Sequence, residues 1–132
     1  MVRQENVMVV DDDERLLETL SLILKWRGYN VDTARDGASA LEKCRLNHYD
    51  VTLIDIGILQ MSGLEAARCL REIDSGARVI LMKASYEGKE VRSVLEEGAY
   101  QAIDKPVDIT NLIKILKGTA TTPSALVVEG RY

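Results

Sequence analysis

Three short apolar runs constrain this chain more than any other feature. Val7-Met8-Val9-Val10, Val51-Thr52-Leu53-Ile54 and Val79-Ile80-Leu81-Met82 are nearly unbroken by polar side chains. Runs of this length, rich in β-branched residues and without alternation, suit strands covered on both faces of a parallel sheet. Tyr29 to Ala34 alternates around Val31 and Thr33, and Tyr100 to Asp104 forms a weaker fifth strand. Helical spacing fills the intervals. Leu16, Leu17, Leu20, Ile23 and Leu24 fall on one face of a first helix, closed by Gly28. A second helix carries Ala38, Ala40, Leu41, Cys44 and Leu46 after an Asp36-Gly37 turn, and a third runs from Leu64 to Ile73. A thinly apolar fourth helix is predicted over Glu87 to Glu97. A fifth is capped by Asp108, with Ile109, Leu112, Ile113 and Leu116 as its buried stripe. Five strands alternating with five helices predict an α/β fold: a five-stranded parallel sheet, order 2-1-3-4-5, with helices on both faces. The domain is expected over residues 1–118. Residues 119–132 read as a tail or truncated linker, and the apolar run Ala125 to Val128 within them has no place in the pattern.

The ends of these strands carry the chemistry. The first run stops at Asp11-Asp12, the third strand ends on Asp55, and the fifth ends in Asp104-Lys105-Pro106. In the order 2-1-3-4-5, strands one and three are neighbours across the topological switch, where ligands bind. Asp11, Asp12 and Asp55 would then share one pocket and repel one another. A hard divalent cation with oxygen ligands relieves that repulsion, and a nearby lysine suits an anionic group held beside the metal. The residues point to a Mg²⁺ site able to handle phosphate. Asp13 and Glu14 open a helix and are sufficiently explained by capping and the helix dipole.

Several classes are disfavoured by what the chain lacks. Its net charge of -4 makes nucleic-acid binding by this domain a poor prospect. No apolar run approaches the length of a membrane helix, and the first residues carry no apolar signal region, so a cytoplasmic location is expected. Cys44 and Cys69 sit in helical patterns without metal-binding spacing and read as reduced packing residues. His48 is the only histidine, which leaves little for triad or zinc-histidine chemistry.

Over about residues 5 to 118 the chain resembles a receiver domain of a two-component response regulator, a member of the CheY-like superfamily with a flavodoxin-like, doubly wound fold. The resemblance rests on Asp11 and Asp12 at the acidic pair, Asp55 at the phosphoacceptor, Lys105-Pro106 at the Lys-Pro, and Met61 and Gly63 in the loop after the phosphoacceptor. It implies that Asp12, Asp55 and the Gly57 carbonyl bind Mg²⁺ directly, and Asp11 through a water. It also implies that Asp55 takes a phosphoryl group from a phosphohistidine on a sensor histidine kinase or phosphotransfer protein. Lys105 would then stabilise the phosphoryl oxygens. The Lys105-Pro106 bond is often cis in such domains. A downstream effector protein is a further expected partner, and the implied chemistry is self-phosphorylation and self-dephosphorylation rather than turnover by an enzyme.

The chain departs from the family's pattern at its switch. Lys83 stands where receivers have Ser or Thr after the fourth strand, with Ser85 two residues on. Ala102 stands where an aromatic usually swings inward, while Tyr100 shares its face nearer the other end. Leu59 replaces a usual Pro, Ser62 a frequent Asp, and Gly57 loosens the loop backbone. The strand-four tip faces the pocket in this topology, so the Lys83 ammonium is expected to point inward, pair with Asp55 and weaken Mg²⁺ binding. A polar fourth helix and a short fifth strand predict a monomer or weak dimer. The alternative function is a receiver-fold module for constant protein contact with weak or lost phosphorylation, favoured by Lys83 and Ala102. A haloacid-dehalogenase-like phosphatase would need an Asp where Gly57 stands. A flavodoxin-like cofactor carrier would need a phosphate-cradling loop where the acidic run lies.

Overall fold

The computed structural model describes residues 4–58, 62–83, 92 and 100–118. Five strands, β1 (Asn6–Val10), β2 (Asn30–Ala34), β3 (Val51–Asp55), β4 (Arg78–Lys83) and β5 (Tyr100–Asp104), form one parallel sheet in the order β2-β1-β3-β4-β5. Four helices are described: α1 (Glu14–Trp26), α2 (Gly37–Leu46), α3 (Gly63–Ile73) and α4 (Ile109–Leu116). The helix expected over Glu87 to Glu97 lies outside the described residues, as do Leu59, Met61, Ser85 and the tail from residue 119.

Alternation along each strand divides the core into two layers. Val7, Val9, Val51, Leu53, Ile80, Met82 and Ile103 face α1 and α4, meeting Leu17, Leu20 and Leu24 of the first and Leu112, Ile115 and Leu116 of the second. Met8, Val10, Ile54, Val79, Leu81 and Ala102 face the other way, onto Leu41 of α2 and Leu64, Ala67 and Leu70 of α3. The apolar runs are continuous because both faces are covered. Three residues of the expected apolar sets are exposed: Ala38 in the first turn of α2, and Leu46 and Ile73, each the last residue of its helix. Cys44 and Cys69 are free thiols packed against the α2/α3 layer, and burial pushes Cys44 up to about 11.

Each of the four described helices starts with a side-chain cap. Asp13 accepts from the Arg15 and Leu16 amides, Ser62 from Glu65, and Asp108 from Asn111. Asp36, read above as a turn residue, caps α2 by accepting from the Ser39 amide at 2.7 Å. Gly28 and Gly118 follow α1 and α4 at φ +97° and +74°, the left-handed conformation that closes a helix without side-chain strain.

Arg78 ties the sheet to α4. Its guanidinium donates to the carbonyls of Ile115 (2.7 Å) and Leu116 (3.1 Å) and to Gln101 Oε1 (2.9 Å). The last carbonyls of a helix have no intrahelical partner, and a cation there also meets the negative end of the dipole. Replacing Arg78 with Met should therefore lower the unfolding free energy by about 2 kcal/mol. Denaturant titration checks this, and an unchanged midpoint would show that the three bonds contribute nothing net.

Candidate functional site

Strand register builds the site. Val7 lies opposite Val51 and Val10 opposite Ile54, so the residues just past these ends, Asp11 and Asp55, meet at the same edge of the sheet. Asp11 continues the parity of Val7 and Val9, and Asp55 that of Val51 and Leu53. Both carboxylates thus lean to the α1/α4 side. Lys105 continues the parity of Ile103 and leans the same way.

The contacts follow this alternation. Lys105 Nζ donates to Asp11 Oδ2 at 2.9 Å and lies 3.4 Å from Asp55 Oδ2. Asp11 is fully buried. Its other oxygen accepts from the Asp13 amide at 2.9 Å. Asp55 is 8% exposed, and its Oδ1 accepts from the Gly57 amide at 3.3 Å. Asp12 is exposed, and one carboxylate oxygen from each of Asp11, Asp12 and Asp55 lies within 4.8 Å of the others. The Lys105-Pro106 peptide bond is cis, as the resemblance implied.

Electrostatics set these groups apart from ordinary surface residues. Burial, then the charge of Asp11, raises Asp55 above the usual carboxylate value; Lys105 and the Gly57 amide only partly offset this. For Lys105, burial acts downward, but the hydrogen bond and charge of Asp11, joined by Asp55, carry it above its ordinary value. Three carboxylates held together against one ammonium leave the pocket short of positive charge. The donors are all oxygens, the chemistry that a hard divalent ion takes. The carboxylates of Asp11, Asp12 and Asp55 therefore fit Mg²⁺.

One expectation is overturned. Lys83 does not pair with Asp55. Its ammonium meets Asp104 Oδ1, its register partner across β4 and β5. The reason is parity: Lys83 follows Val79 and Leu81 onto the α2/α3 side, and Asp104 follows Ala102 there, while Asp55 and Lys105 sit on the other. Topology brings the β4 tip near the switch point, but the pleat turns this side chain away. Ala102 is fully buried.

Gly63, the first residue of α3, also shapes the site. A Cβ built there would lie 2.2 Å from the Asp55 carbonyl oxygen and 2.6 Å from Ile56 Cα. The Gly63 amide donates to the Ile56 carbonyl at 3.0 Å. Gly63 packs directly against the end of the acidic strand, and only glycine permits so close an approach. Its position in the loop pattern was visible in the sequence; this steric reason was not.

A family model described as the response regulator receiver domain matches residues 7–117. Response regulator ArlR of Staphylococcus aureus is 33% identical over 107 residues, covering 81% of this chain and 48% of ArlR. The chain spans about half the length of the curated relatives it matches. A CheY-like receiver domain protein from Methanospirillum hungatei superposes with a TM-score of 0.82 at 26% identity, covering 88% of this chain and 93% of that one. A chain of the CheX-CheY-BeF3-Mg²⁺ complex from Borrelia burgdorferi gives 0.79 at 31% identity, with 86% of this chain and 87% of that one covered.

Two outcomes follow from the geometry. Ionised Asp55 costs stability in the metal-free protein, because its folded value lies above its unfolded one. Asp55→Asn should raise the melting temperature by a few degrees at neutral pH. That cost is complete above the raised folded value and fades as pH falls into the usual carboxylate range, so the two melting curves should converge near pH 4. A variant that melts lower than wild type at pH 7 would contradict the assignment. Separately, Gly63→Ala should force the Asp55–Ile56 backbone aside and cost about 2 kcal/mol. An unchanged denaturation midpoint would show that the loop relaxes freely.

Proposed function

The chain belongs to the response regulator receiver family, and from that membership we propose that Asp55 accepts a phosphoryl group in two-component signalling, with Mg²⁺ as cofactor. The observation that carries the reading is the partly buried Asp11–Lys105–Asp55 bridge beside exposed Asp12. A carboxylate that burial raises and that Lys105 and the Gly57 amide only partly offset suits a nucleophile better than a purely structural group.

The reaction places an Asp55 carboxylate oxygen on the phosphorus of a phosphohistidine. The new O–P bond forms as the P–N bond breaks, and the bonding pair leaves on the imidazole nitrogen of the donor. Asp12, Asp55 and the Gly57 carbonyl would hold Mg²⁺, with Asp11 acting through a water. When bound, the ion neutralises charge on the phosphoryl oxygens. Lys105, drawn toward both carboxylates, supplies a second positive group at the same oxygens. Asp11 holds that ammonium in place, since removing it would leave Lys105 tethered only by its longer contact to Asp55. The donor is a sensor histidine kinase or phosphotransfer protein, and the setting is cytoplasmic. The chain acts as a signalling domain rather than an enzyme, and an effector protein would read its state.

A second reading has its own support. Lys83 lacks a hydroxyl and is engaged by Asp104, and buried Ala102 offers no side chain that could swing. A receiver fold that holds one conformation would serve as a constant protein-binding module. Acetyl phosphate with Mg²⁺ separates the two. The phosphoacceptor reading expects one added phosphoryl group by intact mass in the wild type and none in Asp55→Asn. Equal labelling of both proteins would remove Asp55 from its role, and no labelling of either would favour the module.

A further inference from the structure

A second ion pair sits at the carboxyl-terminal rim, outside the chemistry just described. Lys83 Nζ lies 2.5 Å from Asp104 Oδ1. The lysine side chain is only 13% exposed, its partner 52%. An ammonium so far withdrawn from water depends on its carboxylate. The pair is joined to the acidic pocket through the backbone, since the Lys105 amide donates to the Lys83 carbonyl at 2.8 Å. Two lysines thus flank one rim, and the pleat sends them to opposite sides.

Formal charge indicates what would move Lys83. Asp11, Asp12 and Asp55 set against Lys105 leave the pocket with two negative charges. A divalent cation on those carboxylates cancels them, and the pocket then exerts no net pull on another ammonium. Phosphorylation of Asp55 replaces a monoanionic carboxylate with an acyl-linked phosphoryl group close to a dianion. One negative charge is added at the tip of β3, next to β4. The cation at the β4 tip is Lys83, whose only tether among the described residues is a half-exposed carboxylate.

We infer that Asp104 is a positioning residue: it holds the Lys83 ammonium outside the acidic pocket while Asp55 is unmodified, and releases it to the phosphoryl oxygens once Asp55 carries the group. This rests on the phosphoacceptor reading above. The partner exchange supplies by charge what a hydroxyl at this position would supply by hydrogen bonding. It also produces an output, because the released Asp104 carboxylate becomes an unpaired negative charge on the exposed rim of β5. Neither a hydroxyl at position 83 nor a swinging aromatic at position 102 is required.

The test uses Asp104→Asn, Lys83→Met and the double variant of the whole chain, with melting curves to confirm folding. Lys83→Met keeps most of the buried stem, and Asp104→Ser provides a second way to remove the anchor. Calorimetry measures Mg²⁺ affinity. Fluorine NMR measures beryllofluoride uptake with Mg²⁺ present; that ion adds one negative charge to Asp55, as the phosphoryl group does. Asp104→Asn should weaken Mg²⁺ binding and tighten beryllofluoride binding, each by about three- to fivefold, because the ammonium is freed in both states. Lys83→Met alone should leave Mg²⁺ affinity unchanged and weaken beryllofluoride binding. In the Lys83→Met background, Asp104→Asn should change neither. Normal uptake with an Asp104→Asn effect that is absent, or independent of Lys83, overturns the exchange alone. No uptake in any protein overturns the phosphoacceptor reading beneath it.

Discussion

Everything at the functional edge depends on one ammonium held between two buried carboxylates. Asp11 and Asp55 come from neighbouring parallel strands whose register makes their meeting unavoidable. Without Lys105 they would be like charges in a largely buried pocket, which favours protonating one of them or separating the strand tips. Lys105 reaches them from β5, two strands away from β3, which ties the far edge of the sheet to its centre. The bridge does not neutralise the pocket. It leaves Asp55 raised and the site still short of positive charge, the condition under which a divalent ion becomes a favourable occupant.

Much of this was legible in the sequence because the relevant signals are local. Apolar runs of four residues ending in acid announce buried strands with functional tips, and the alternation with amphipathic helices fixes the fold class. The acidic cluster required only the strand order in addition. Asp108 and Gly28 were recognisable as helix punctuation because caps and left-handed glycines obey local rules. Asp36 escaped because Asp-Gly is an equally good turn signal, and only the following helix makes it a cap.

The orientation of Lys83 was not legible, and the reason is general. A strand buried on both faces has no alternation of polarity, so its sequence does not say which residues share a face. Parity between strands must come from register, which is a tertiary fact. Val79, Leu81 and Lys83 are equivalent by spacing, as are Val51, Leu53 and Asp55. Nothing in either run shows that the two sets point to opposite sides. The same limit hid the tightness at Gly63, whose missing side chain matters because of a strand eight residues back in the chain.

Once parity is known, the two departures on the strands of the switch, Lys83 and Ala102, fall on one side of the sheet. Asp11, Asp55 and Lys105 lean toward α1 and α4; Lys83, Ala102 and Asp104 lean toward α2 and α3. A substitution on the second side does not displace the carboxylates on the first, because the strand between them is fixed by hydrogen bonds to both neighbours. The chemistry of taking up a phosphoryl group and the means of reporting it are therefore separable in this fold. The acidic bridge can be kept intact while the reporting side chains change type altogether. On the proposed exchange, an ion pair at the rim takes over that reporting. Its strength depends on ionic strength and on the exposure of Asp104, in a way that a buried aromatic's rotation does not. A receiver built this way would respond to phosphorylation by redistributing charge along β5 more than by reshaping the core beneath it.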